Sequence, residues 1–267
     1  MNTSHSTTDN RLHEKHGHYP LAQTVDDFRR NIEAVQSRIA AACQRVNRDP
    51  SSVRLLPVSK TVAPERIRLA YEAGCRYLGE NKAQEGISKA EALADLPELK
   101  WAMIGHLQRN KAREVARFAH EFHALDRLAV AKTLQRRLEL EERTLDVFVQ
   151  VNTSEEDSKY GISPNEAQTF IRELAAFSRL NVKGLMTMAL FSDDVAKVRA
   201  CFRQLRELRD ALAPKIPAGM SVDELSMGMS GDFEIAIEEG ATIVRVGQAI
   251  FGARETPDSA YWPAAKA

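Results

Sequence analysis

The sequence predicts an α/β protein built as a (β/α)8 TIM barrel, and three observations carry that expectation. Eight short β-rich runs alternate with amphipathic helical stretches between Val53 and Gly247. A chain of 267 residues is long for one ordinary domain but suits a single barrel of this kind. A doubly wound open sheet would want a glycine-rich phosphate turn after its first strand, where this chain has Ser59-Lys60-Thr61.

The elements follow in order. Residues 1–20 are polar and hold four of the seven histidines, His5, His13, His16 and His18, with nothing apolar to fold them, so a disordered tail is expected. From Val25 to Arg45, apolar side chains at Phe28, Ile32, Val35, Ile39 and Cys43 are spaced by threes and fours, which predicts an extra N-terminal packing helix. The strand runs are VRLLPVS (53–59), RYLG (76–79), KWAMIG (100–105), EFHAL (121–125), LDVFVQVN (145–152), NVKGLMTM (181–188), VDELSMG (222–228) and TIVRVG (242–247). Helical patterns separate them, among them PERIRLAYEAG, AVAKTLQRRLELEE, NEAQTFIRELAAFS, DVAKVRACFRQLRELRDAL and DFEIAIEEG. One barrel domain over residues 21–252 and a C-terminal tail over 253–267 result.

Composition narrows the function classes. Thirty-seven basic and 37 acidic residues cancel, so the overall balance points to neither a nucleic acid nor an acidic membrane as partner. Cys43, Cys75 and Cys201 are odd in number and widely spaced, which argues against a disulfide framework or a zinc site. No apolar run reaches the roughly 18 residues of a membrane span, and the N-terminus lacks the hydrophobic segment of a signal peptide. A soluble cytoplasmic protein is expected.

In such barrels the chemistry gathers at the C-terminal strand ends. The seventh strand ends in Ser226-Met227-Gly228-Met229-Ser230-Gly231 and the eighth in Arg245-Val246-Gly247. Small residues there let backbone N–H groups approach an anion, and the following helix adds its dipole, so a phosphorylated ligand is expected. Taken singly, such segments more often only make turns and cap helices. Lys60 closes the first strand, and its partial desolvation, with Lys82, Lys159 or Arg245 nearby, would free an amine to attack an aldehyde. Phosphate site and amine together point to a phosphorylated carbonyl compound, either a sugar phosphate or pyridoxal 5′-phosphate (PLP).

Seven motifs resemble a known family: SKT at 59–61, GENKAQE at 79–85, IGHLQRNK at 104–111, KYGI at 159–162, GLMTMA at 184–189, LSMGMSGDFEIAIEEG at 225–240 and VRVGQAIFG at 244–252. In this order they resemble the YggS/PROSC group, the PLP homeostasis proteins. That resemblance implies the barrel of alanine racemase's N-terminal domain, PLP as the ligand, and no established catalytic turnover. It also implies roles for single residues. Lys60 is similar to the family's Schiff-base lysine, while Ser226, Met227, Gly228, Ser230 and the backbone at Gly247 fall on the phosphate-binding motif. Arg245 is similar to the arginine facing the pyridine nitrogen. Asn81, His106 and Met186 would line the ring pocket, and Lys159 resembles a lysine near the ligand. One departure stands at Val62, where many relatives carry a basic residue.

An arginine opposite the ring nitrogen discourages its protonation and so weakens the electron sink that carbanion chemistry needs. The plainer alternative for Arg245 is an ion pair inside the barrel with Glu224 or Glu238. His106 and His123 have an equally plain reading as hydrogen-bonded structural histidines, and only His106 is favoured for the site. A monomeric, cytoplasmic carrier or buffer of PLP is expected, with PLP-requiring apo-enzymes as recipients. The competing functions are a single-domain amino-acid racemase, although a racemase is expected to carry a second domain after the barrel, and a class I aldolase.

Overall fold

The Thr24 hydroxyl accepts the Asp27 amide at 3.1 Å while the Asp27 carboxylate accepts the Thr24 amide at 3.0 Å. This reciprocal pair starts helix α1 (Val25–Arg45). In this computed structural model residues 19–154, 160–190 and 192–253 are described. The buried stripe of α1 is Phe28, Val35, Ile39, Ala42 and Cys43. It packs against helices α2 (Pro64–Glu72), α8 (Phe233–Glu238) and α9 (Gln248–Phe251). Each large side chain so buried contributes roughly 1.5–3 kcal/mol.

Eight strands pair in parallel: β1 (Arg54–Pro57), β2 (Tyr77–Glu80), β3 (Lys100–Met103), β4 (Glu121–Leu125), β5 (Leu145–Gln150), β6 (Leu180–Met186), β7 (Glu224–Ser226) and β8 (Ile243–Val246). Each lies within a residue of its predicted run. Most are shorter, because their C-terminal residues leave the ladder to form loops at the mouth. The sheet order is β1-β8-β7-β6-β5-β4-β3-β2, and a bridge between Val58 and Gly79 joins its two ends. The Ser59 amide donates to Gly79 O at 3.0 Å across that seam. The result is a nearly closed (β/α)8 barrel. Helices α3 (Ala83–Ala92), α4 (Ala112–Phe118), α5 (Leu128–Leu140), α6 (Ala167–Leu174) and α7 (Val195–Leu212) complete the outer layer.

Tyr19, placed in the tail by its sequence context, packs against the core, and its carbonyl accepts the Ala253 amide at 2.9 Å. The remaining tail residues, 1–18 and 254–267, lie outside the described residues. Cys43, Cys75 and Cys201 are free and buried. Among the described residues no helix is long and apolar enough to cross a membrane, and no cluster of His, Cys, Asp and Glu has a metal-holding arrangement.

Candidate ligand site at the barrel mouth

Strand β4 places Glu121 and His123 two residues apart and therefore on one face. That face is the bore, because their partners lie on strands that do not neighbour β4. Arg54 of β1 donates from Nη2 to both Glu121 oxygens, at 2.8 and 3.0 Å. His123 Nε2 lies 2.7 Å from Glu121 Oε2, and its Nδ1 lies 2.8 Å from the Ser226 hydroxyl of β7. The guanidinium of Arg245 on β8 then donates to Ser226 O at 2.7 Å, Ser226 Oγ at 2.8 Å and Thr187 O at 2.9 Å. A buried polar file thus crosses the barrel from Arg54 to Arg245.

The donor direction in this file follows from charge. Burial pushes the Glu121 carboxyl up, but its bonds to His123 and Arg54 outweigh that and bring it down to about 2. An ionised carboxylate only accepts, so His123 Nε2 carries the proton it shares with Glu121. Full burial lowers His123 despite that bond, so the ring is neutral and its Nδ1 accepts the Ser226 hydroxyl proton. The Ser226 oxygen is left to accept from Arg245. Burial lowers Arg245 to about 10, which keeps it protonated at neutral pH. Its hydrogen-bond partners are all neutral oxygens. The alternative ion pair is absent: Glu238 binds Arg45 and Arg199, and Glu224 has Arg54 at 3.9 Å.

The loops after β7 and β8 form one wall of the mouth. Gly228 has φ +95°, and an added Cβ would lie 2.7 Å from the Ala236 Cβ and 2.9 Å from the Phe233 Cα, so only glycine fits there. Its carbonyl accepts the Arg245 amide at 3.0 Å, and the Gly247 amide points to Ser230 Oγ at 3.4 Å. Gly228, Ser230, Arg245 and Gly247 are thereby brought together. Two details differ from expectation. The following helix, α8, spans only Phe233–Glu238 and sums few peptide dipoles. The Met229 amide is already bonded to Asp232 Oδ1 at 2.6 Å, which removes one donor from the cradle.

Lys60 stands on the same rim. The Val58 amide donates to Val246 O at 2.9 Å, which sets the ends of β1 and β8 side by side, and Lys60 and Gly247 follow directly. Lys60 is half-buried. Met186 pairs in register with Ser226 and is buried beneath the mouth. Asn81 and Gly105 meet where the loops after β2 and β3 touch: a Cβ on Gly105 would lie 2.1 Å from Asn81 O.

Three expected site residues sit differently from the simple picture. The Ser226 side chain is fully buried below the phosphate-type loop and serves Arg245 instead of an outside anion. The Met227 side chain belongs to the apolar core, so only its backbone is near the loop. His106 stacks on the half-exposed ring of Tyr160, with centroids 3.8 Å apart, and its Nε2 lies 2.8 Å from Arg127 Nη2. Burial, aided by Arg127, lowers the His106 imidazole although Asp126 pulls it up. Lys159 lies outside the described residues.

The family model for the alanine racemase N-terminal domain matches residues 26–255. The pyridoxal phosphate homeostasis protein of Vibrio cholerae is 44% identical over 231 residues, covering 85% of this chain and 97% of its own. That of Aquifex aeolicus is 41% identical over 224 residues, covering 84% and 97%. The chain belongs to the pyridoxal phosphate homeostasis family. The solved structure of another similar protein, PipY of Synechococcus elongatus with PLP bound, superposes with a TM-score of 0.72 at 36% identity. The match covers 82% of this chain and all of PipY.

In this homeostasis-family member Thr187, and His123 through Ser226, hold Arg245 in place; Thr187 falls inside the GLMTMA motif, whereas His123 belongs to none of the seven motifs. The available signal was the alternation of Glu121 and His123 in a strand with no exposed face.

Proposed function

We propose that this chain holds PLP reversibly, as a carrier or buffer that keeps the free aldehyde low and supplies it to PLP-requiring apo-enzymes. The aldehyde of PLP supplies the covalent chemistry, by forming a Schiff base with a lysine amine. Lys60 is the residue assigned to that capture. The loop at Gly228, Ser230 and Gly247 is assigned to the phosphate, and Arg245 to the ring nitrogen. Asn81, His106, Met186 and Lys159 are assigned to the ring's surroundings. The site residues fit such a ligand: an amine and a glycine-bounded backbone turn share one rim, and a buried cation lies between the adjoining strands.

The observation that carries the non-enzymatic part of this reading is Arg245. Its guanidinium is held by Thr187 and Ser226 in a fully buried position, with a neutral His123 behind it. Opposite the ring nitrogen, where the family resemblance assigns it, such a cation would discourage protonation of that nitrogen and so weaken stabilisation of a carbanion. What remains is binding and release. The family relationship and the PLP carried by PipY support the choice of ligand.

Adding PLP to the purified protein tests the reading. A visible band is expected that borohydride fixes on one lysine, that Lys60→Ala removes, and that fades as PLP passes to an added apo-enzyme. A colourless mixture, or a band that survives Lys60→Ala, would overturn it. Racemisation of alanine at an ordinary enzymatic rate would overturn the carrier role while leaving PLP binding intact.

A further inference from the structure

Outside the polar file, a buried charge cluster lies under the turn that carries Lys60. Lys89 of α3 is buried, and its ammonium spends its three protons on Ser59 O at 2.7 Å, Glu80 Oε1 at 2.9 Å and Glu85 Oε1 at 2.6 Å. Glu80 also accepts the Ser59 hydroxyl, and its second oxygen is buried with no partner. Glu85 accepts the Thr61 amide at 2.6 Å through the same oxygen that meets Lys89. Both neighbours of Lys60 in the chain are therefore tied to one ammonium and its two carboxylates.

The turn needs such ties. Val62 N donates to Ser59 O at 2.9 Å, closing a four-residue turn with Lys60 second and Thr61 third. Thr61 has φ +65°, in the left-handed region that a β-branched residue resists. Turns of this kind normally place glycine there. A non-glycine residue so held stores roughly 1–3 kcal/mol, and it persists only where its surroundings impose it. Buried ion clusters add little net stability, because desolvation offsets their attraction. Their use here is geometric.

We propose that Lys89, with Glu80 and Glu85, positions Lys60: the cluster clamps Ser59 and Thr61 so that the strained turn presents the amine to the mouth at a fixed angle. Lys89 touches no ligand in this scheme and is a positioning residue. The inference rests on Lys60 being the residue that captures the aldehyde. It separates two parts of recognition that share one ligand. The clamp governs imine formation, while the loops after β7 and β8 govern phosphate recognition.

The test uses the full chain and two ligands, PLP and pyridoxine 5′-phosphate, whose alcohol cannot form an imine. Glu85→Ala, which releases Thr61 from a partly exposed position, is expected to slow imine formation about tenfold, the equivalent of freeing the stored strain. Affinity for pyridoxine 5′-phosphate should stay within about twofold. Adding Thr61→Gly to Glu85→Ala should restore most of the rate, because glycine holds the left-handed conformation without a clamp. Lys89→Met, paired with Glu80→Gln to avoid a bare buried carboxylate, should reproduce the loss wherever circular dichroism shows a native fold. Unchanged imine formation in Glu85→Ala overturns the proposal. So does an equal fall in affinity for both ligands, which marks general damage, or a failure of Thr61→Gly to rescue. If the unaltered chain gives no borohydride-fixed adduct at Lys60, the assignment of Lys60 itself fails, and this inference with it.

Discussion

Glu121→Gln isolates the charge at the foot of the polar file while keeping the side chain's shape. The wild-type carboxyl lies at about 2 against an ordinary 4.5, because hydrogen bonds from His123 and Arg54 outweigh the cost of burial. At about 1.4 kcal/mol for each pH unit of displacement, that is about 3 kcal/mol of folding stability. The folded value is depressed, so this contribution is complete above the unfolded value near 4.5 and is lost as pH falls towards about 2. The variant should therefore trail the wild type by about 3 kcal/mol near pH 7, and the gap should shrink by about 2 kcal/mol near pH 3. Urea unfolding of both proteins at the two pH values measures the gap, and carboxylates that do not feel the Glu121 charge cancel in the difference. A gap that is the same at both pH values would refute the assignment of an ionised, doubly bonded Glu121.

Three further outcomes follow from the geometry. Gly184→Ala sets a Cβ 2.0 Å from Glu224 O between β6 and β7; the clash with backbone should cost about 3 kcal/mol in chemical denaturation. Gly228→Ala meets the Ala236 Cβ at 2.7 Å and forces a left-handed alanine, so PLP titration should show binding weakened by about tenfold or more while the circular dichroism spectrum stays native. Burial pushes the Cys75 thiol up to about 11; iodoacetamide at mildly alkaline pH should therefore label Cys75 only after the chain is unfolded, and rapid labelling of the native protein would contradict its burial.

The barrel was legible because each strand is a short β-rich run with polar or glycine residues at its end, and ends are what a barrel mouth is made from. The Gly228-to-Gly247 wall was legible for the same reason, as was Lys60 at the end of β1. The rest depends on which strands face one another across the bore. Glu121 and His123 share a face by their spacing alone, but nothing in the spacing joins them to Ser226, 103 positions from His123. Ser226 itself looks like part of a phosphate loop until the register of β7 turns it inward to Arg245. Lys89 sits in a polar helical stretch and resembles a solvated charge; only the fold of α3 against the end of β1 reveals it as buried. His106 looks like a ring-pocket residue by motif, whereas its stacking on Tyr160 requires the loops after β3 and β5 to meet.

The single bridge between β1 and β2 ties the hoop at one clasp, beside Lys60. Along that edge, among the described residues, the backbone pairing is one isolated bridge, Val58 with Gly79, whereas β1 and β8 are laced in register from Arg54 to Pro57. With so little ladder there, the side-chain ties of Ser59 to Glu80 and Lys89 complete the closure beside Lys60, and opening the clasp must break them. Amide exchange at Ser59 and the reversibility of cargo capture should accordingly share one clock.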